Sequence, residues 1–234
     1  MAVSEHIRHV QIDDVIVLLD IRAGRYLLIE DVAAEMWDGL CRNRTPDQIV
    51  DDISTRYDAA RDQVAQDFAQ FLASCRANGY WDDAPAAPAL PVVPRSASVV
   101  AAGRHFLTMR AWLALLASWM TLKTGGFHGL HGAAQRLAAM PRGAGQPDAQ
   151  LLQRAEAAFL RAENFFILKS APQDCLPRSM AMYRFLHGLG LPVRHRIGVE
   201  RYPLTMHAWV ECNGEPVLND PDAGRMTVIA TTGA

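Results

Sequence analysis

Asp174–Gly190 (DCLPRSMAMYRFLHGLG), Val193–Glu200 (VRHRIGVE) and Met206–Cys212 (MHAWVEC) form the stretch on which the reading of this chain turns. Asp174 is placed to cap a helix, and Pro177 falls in its first turn. Met180, Tyr183, Leu186 and Leu189 then recur at helical spacing. Cys175 therefore sits at a helix N-terminus, where unpaired backbone N–H groups and the macrodipole favour a thiolate and can hold an oxyanion. A free cysteine is by default an inert packing residue, so the residues that follow decide its meaning. Gly190-Leu191-Pro192 turns the chain into the alternating strand Val193–Glu200, and Met206–Cys212 reads as a second strand. Asn213-Gly214 is a hairpin signal, with Val217-Leu218 as the return strand running to Asn219-Asp220-Pro221-Asp222. His207 and Asp220 would then lie nearly opposite across the hairpin, as a base and its orienting carboxylate require.

Helix start, strand and neighbouring strand make a three-point layout for acyl transfer at a thiol: Cys175 as nucleophile, His207 as base, Asp220 as orienter. Asp222 is a rival for the third role and Asn219 a weaker one. His195 is a rival base, but its place between Arg194 and Arg196 predicts an exposed side chain. Trp209 shares a strand face with His207, either walling the imidazole or filling the core. Arg178 is close enough to the thiol to lower its pKa or to bind a substrate carboxylate, and Cys212 and Cys41 read as packing residues.

The order Cys on a helix, then His and Asp on successive strands, resembles the transglutaminase-like, papain-like cysteine peptidase fold. More narrowly, DCLPRSMAMYRFL with HAWVE and NDP resembles the leader peptidase of lasso-peptide maturation, the B protein family. The resemblance implies the same Cys175, His207, Asp220 assignment. It also implies a ribosomal precursor peptide as substrate and an ATP-dependent macrocyclase as partner. No motif in the chain signals ATP binding.

Upstream, Leu151–Phe166 reads as a helix, and Gly125–Gln146 as a glycine-rich loop with a short helix around Gln135–Ala139. Phe106–Leu122 is the most apolar run, but it is short for a membrane span and contains Arg110, so it reads as a buried helix. Residues 84–99 hold four prolines and no aromatic residue, the composition of an extended linker.

Before the linker, Val15–Asp20 and Arg25–Ile29 form a hairpin. Asp31 is placed to cap a helix through Val32, Met36, Trp37 and Leu40, and Thr45-Pro46 starts a second, with Ile49, Val50 and Ile53 inward. Arg61–Ala77 is a third, ended by Asn78-Gly79. This winged-helix-like unit resembles the peptide-recognition domain of ribosomal natural-product pathways, similar to the small pyrroloquinoline-quinone peptide chaperone. In that family a leader peptide adds as a strand to the hairpin edge and packs against the third helix. Position on that edge strand and helix face points to leader contacts at Tyr26, Leu27, Leu28 and Ile29 and at Val64, Asp67, Phe68 and Phe71, several of which read equally as core residues.

Charge divides the chain in the same place. Residues 1–83 carry 16 Asp/Glu against 8 Lys/Arg, and residues 84–234 carry 9 against 15. An acidic first half argues against DNA binding by a winged helix, because phosphates need a basic footprint. The four cysteines show neither CxxC nor zinc-ligand spacing, so no metal, cofactor or disulfide framework is expected. The polar N-terminus MAVSEHIRHVQIDD has no secretory apolar region, so a cytoplasmic location is expected.

The expected class is α+β: a recognition domain over residues 1–83, a Pro/Ala linker over 84–99 and a cysteine peptidase domain over 100–234. The same triad would also serve acyl transfer to an amine, as in a transglutaminase. A vestigial triad would leave a non-catalytic peptide-binding scaffold.

Overall fold

The computed structural model describes residues 2–82, 104–140, 149–165 and 175–233. The chain forms two compact units, Met1–Ala89 and Leu90–Ala234, both mixing helix and strand. The proline-rich linker expected over residues 84–99 lies outside the described residues, as does Asp174 with its expected capping role.

The first unit is built on strands β1 (Ala2–Val3), β2 (Ile7–Ile12), β3 (Val15–Asp20) and β4 (Arg25–Ile29). The antiparallel order β2-β3-β4 places β3 in the middle, and all six of its residues are buried. The two hairpin strands have the bounds read from sequence, but β2 was not anticipated. Its apolar residues Ile7, Val10 and Ile12 break strict alternation, and Asp13-Asp14 is an unusual hairpin turn, with Asp13 at φ 54°.

Helices α1 (Asp31–Cys41), α2 (Pro46–Tyr57) and α3 (Arg61–Ala77) follow, and β5 (Trp81–Asp82) pairs back onto β1. The N-cap of α1 is Glu30, without a side-chain bond, so Asp31 opens the helix as a first-turn acid rather than capping it. Thr45 caps α2 as its sequence predicts: the hydroxyl accepts from the Gln48 N–H at 3.3 Å, and Gln48 Oε1 accepts from the Thr45 N–H at 3.0 Å. Gly39 lets α1 and α2 approach closely, since a Cβ there would lie 2.8 Å from Ile49. Trp37, fully buried, meets Trp81 edge-on at 5.3 Å, and Ile49, Ile53, Val64, Phe68 and Leu72 complete this core. Each such large apolar side chain contributes about 1.5–3 kcal/mol on burial.

The second unit opens with α4 (Arg104–Ala138), kinked at Gly126, where φ is 56° and ψ −155°. The glycine-rich run from Gly125 was expected to be mostly loop. Helix instead continues through Ala138, because Leu130, Ala133 and Ala134 bury a face beyond the kink. Residues 141–146, the rest of that expected loop, lie outside the described residues. Next come α5 (Ala149–Asn164) and α6 (Cys175–His187). The sheet contains β6 (Val193–Glu200), β7 (Thr205–Cys212), β8 (Glu215–Pro216) and β9 (Thr227–Thr232) in the order β8-β7-β6-β9.

Helix α6 packs on β6 and β7 and against α4 and α5. Its expected stripe of Met180, Tyr183, Leu186 and Leu189 is buried, with Phe159 of α5 stacked on Phe185 at 6.3 Å. That central placement fixes the first turn of α6 beside β7. No helix among the described residues is long and apolar enough to cross a membrane.

Candidate active site

Cys175 is the first residue of α6 and half-buried. It lines a cleft of about 210 Å³ together with Arg178, Ser179, His207, Trp209 and Asp220. The structure thus brings all three expected chemical residues to one cavity.

His207 and Asp220 meet directly, with Nε2 and Oδ2 at 2.8 Å. The route is not the expected strand. β8 ends at Pro216, which lacks an N–H to extend the ladder, and Val217–Asn219 is a 3₁₀ turn rather than the expected return strand. The β7–β8 register, Glu211 opposite Pro216 and Cys212 opposite Glu215, would place 207 opposite 220 if it were continued. The turn restores that juxtaposition by another path. Leu218 and Asn219 take left-handed conformations, at φ 64° and 49°, and the Leu218 N–H donates to Glu156 Oε1 of α5 at 2.9 Å.

Asp220 is held at both oxygens, since Oδ1 accepts from the Asp222 N–H at 3.1 Å. An ionised carboxylate only accepts, so its partner on His207 is Nε2–H, and Nδ1 is left with the lone pair a base needs. The Asp222 carboxylate instead pairs with Arg225 at 2.5 Å. Between the two rival carboxylates, Asp220 is the one bonded to His207. Ligand atoms of His207, Asp220 and Asp222 lie within 4.8 Å of one another, close enough to share a cation. A cation there would have to displace the Nε2–H bond and compete with the Arg225 guanidinium.

Trp209 stacks on His207 with ring planes 10° apart and centroids 6.1 Å apart, and is itself 3% exposed. It therefore both walls the imidazole and fills the core. Its indole N–H donates to Glu211 at 3.1 Å, and Glu211 pairs with Arg196 at 3.0 Å, so the ring is held from its far side. Gly198, opposite His207 in the β6–β7 register, makes room for the indole. A Cβ at Gly198 would lie 2.7 Å from Met226 Cβ and 2.8 Å from the Trp209 ring. A glycine inside an otherwise alternating strand is the sequence signal of such a close approach.

His195 is not the exposed residue its arginine neighbours suggested. It is 2% exposed, and burial, with His131 nearby, pushes its pKa down to about 3. Arg194 and Arg196 occupy the other face of β6, and alternation sends His195 inward. Its Nε2 lies 2.9 Å from Ser179 Oγ, whose hydroxyl donates to the Leu176 carbonyl at 3.0 Å. The neutral imidazole thus donates to Ser179 and ties the first turn of α6 to the sheet.

Arg178 makes a two-pronged pair with Glu163, at 2.6 and 3.2 Å, which occupies its guanidinium. The other thiols are held protonated by burial. Cys41, with Asp38 adding, and Cys75 are each pushed up to about 11. Burial and the Glu156 carboxylate also raise Cys212.

In the first unit, β4 is an edge strand on which Tyr26, Leu27 and Leu28 are 48%, 44% and 37% exposed. Of the other leader-contact candidates, Asp67 is exposed and Phe71 half-buried. Ile29, Val64 and Phe68 are 6%, 5% and 4% exposed, so their side chains belong to the core rather than to a contact surface.

The model of the transglutaminase-like superfamily matches residues 107–231, more than half of the chain and the part that contains the cleft. The model of coenzyme PQQ synthesis protein D (PqqD) matches residues 16–80. Among solved structures, TbiB1 in complex with the TbiA(beta) leader peptide is 28% identical with a TM-score of 0.34, covering 37% of this chain and 100% of that one. A lasso peptide synthetase B1 complexed with the leader peptide is also 28% identical, with a TM-score of 0.32, covering 33% of this chain and 92% of that one. No curated protein matches the chain. The chain belongs to the transglutaminase-like superfamily.

Proposed function

We propose that this protein is a leader peptidase: its first unit binds the leader of a ribosomal precursor peptide, and its second cuts the leader from the core in lasso-peptide biosynthesis. The observation that carries the reading is the cleft that gathers Cys175, at a helix start, with a His207 already hydrogen-bonded to Asp220.

In this mechanism His207 Nδ1 takes the Cys175 proton, and the thiolate attacks the carbonyl at the leader–core junction. The N–H groups at the start of α6 stabilise the oxyanion. As the C–N bond breaks, His207 returns the proton to the departing core amine, leaving the leader as a thioester on Cys175. Water then attacks the thioester with His207 again as base, releasing the leader carboxylate and the free thiol. Asp220 holds the imidazole orientation and stabilises the imidazolium at both stages. No metal or cofactor takes part in this scheme.

The open β4 edge within the segment that matches the PqqD model supports leader binding by strand addition. Tethering the leader there raises the effective concentration of the junction at the cleft, so the peptidase site can be selective for little else. The freed core N-terminus is then available to an ATP-dependent macrocyclase.

Mass spectrometry of precursor incubated with the wild type and with Cys175→Ala tests the reading. Separate leader and core fragments are expected from the wild type, and intact precursor from the variant, a loss of roughly 10⁴-fold or more. Leader joined to an amine would mean acyl transfer instead of hydrolysis. Unchanged processing by Cys175→Ala would leave only a peptide-binding scaffold.

A further inference from the structure

We infer that Glu156 of α5 is a positioning residue for the Cys175–His207–Asp220 site, an inference that rests on the thiol-catalyst reading above. Asp220 reaches His207 from a segment that the sheet no longer holds, because the ladder ends at Pro216. Two consecutive non-glycine residues, Leu218 and Asn219, are left-handed just before it. Such a conformation is unfavourable for L-residues and persists only when the surroundings hold it. The Glu156 carboxylate supplies that hold by accepting the Leu218 N–H at 2.9 Å.

Glu156 is well mounted for the task. Its neighbours on α5, Ala155, Ala158, Phe159 and Ala162, are buried in the core of the unit. Phe159, three residues on, lines the cleft itself. Burial, with the Glu156 charge adding, also raises the pKa of Cys212, which lies at the β7–β8 corner. Among the described residues no hydrogen bond or ion pair joins Glu156 to His207 or Asp220. It acts by fixing the turn that delivers Asp220, so reach should matter more than charge.

Alkylation of Cys175 by iodoacetamide near pH 7, located by peptide mass spectrometry in the full chain, tests this without a peptide substrate. Glu156→Ala and Glu156→Asp, the second retaining charge but losing reach, are expected to slow alkylation by roughly tenfold, while Glu156→Gln stays within about twofold of wild type. A Glu156→Ala/Asp220→Asn double variant is expected to be no slower than Asp220→Asn alone, because both act through one group. Wild-type alkylation rates in the Ala and Asp variants alongside a slow Asp220→Asn, or additive losses in the double variant, would overturn the inference. If Glu156→Ala fails to fold, the Asp and Gln pair decides on its own. Unchanged alkylation in both His207→Ala and Asp220→Asn would instead mean that the thiol-catalyst reading itself is wrong.

Discussion

The two units expose their candidate functional parts in opposite ways. On β4, Tyr26, Leu27 and Leu28 are exposed in succession, and the outer edge of the strand has no partner strand among the described residues. Around the cleft, His207 and Asp220 keep only 19% and 17% of their side chains exposed, and both oxygens of Asp220 are hydrogen-bonded. A strand edge recognises by adding backbone hydrogen bonds, and tolerates varied side chains. A thiol site requires atoms held within a fraction of an ångström, and so borrows supports from α5, β6 and β7. Substitutions in the first unit should therefore alter KM, and those in the second kcat.

The sharpest test of that contrast is Asp220→Asn, expected to lower kcat on the precursor roughly 10³-fold with KM little changed, against less than about threefold for Asp222→Asn. Equal losses would show that the two carboxylates share the role. Next in size, Leu28→Asp on the edge strand is expected to raise KM by roughly 10- to 100-fold at constant kcat, from the lost burial of one leucine against the leader. A fall in kcat instead would erase the division between the units. Gly198→Ala is expected to cost about tenfold in kcat by pushing the Trp209 ring off His207, with a change in near-ultraviolet circular dichroism. The smallest effect is on stability. His195 takes up a proton near pH 6.5 when unfolded, but only near 3 when folded, so acid favours the unfolded chain across that window. The urea midpoint should fall between pH 7 and pH 4, and fall less in His195→Gln.

Much of this was legible in sequence because it is local. Val15–Asp20, Arg25–Ile29, Arg61–Ala77 and Val193–Glu200 take the bounds their apolar periodicity and turn residues predict. The Thr45 cap and the Asn213-Gly214 turn, with φ of 57° and 89°, follow from residue type alone. The α+β class and the three cleft residues were readable too, since a helix start and a hairpin register are short-range features. What escaped depends on partners far away in the chain. Glu156 and Leu218 are 62 positions apart, and nothing near either residue signals their bond. β9 carries the β-branched run TVIATT that marks a strand, and it pairs with β6, about 30 positions earlier in the chain. The arginine neighbours of His195 predict an exposed side chain, whereas pleat alternation along β6 sends it inward.

The bare edge of β4 also matters between molecules. An unpaired, apolar strand is a template for self-association as readily as for a leader. Residues 1–83 carry 16 acids against 8 bases, a surplus that opposes the approach of one such edge to another. Salt screens such repulsion over about 8 Å at physiological strength. Purified without its peptide, the protein should aggregate more readily in concentrated salt than in dilute buffer, and added leader should protect it by occupying the edge.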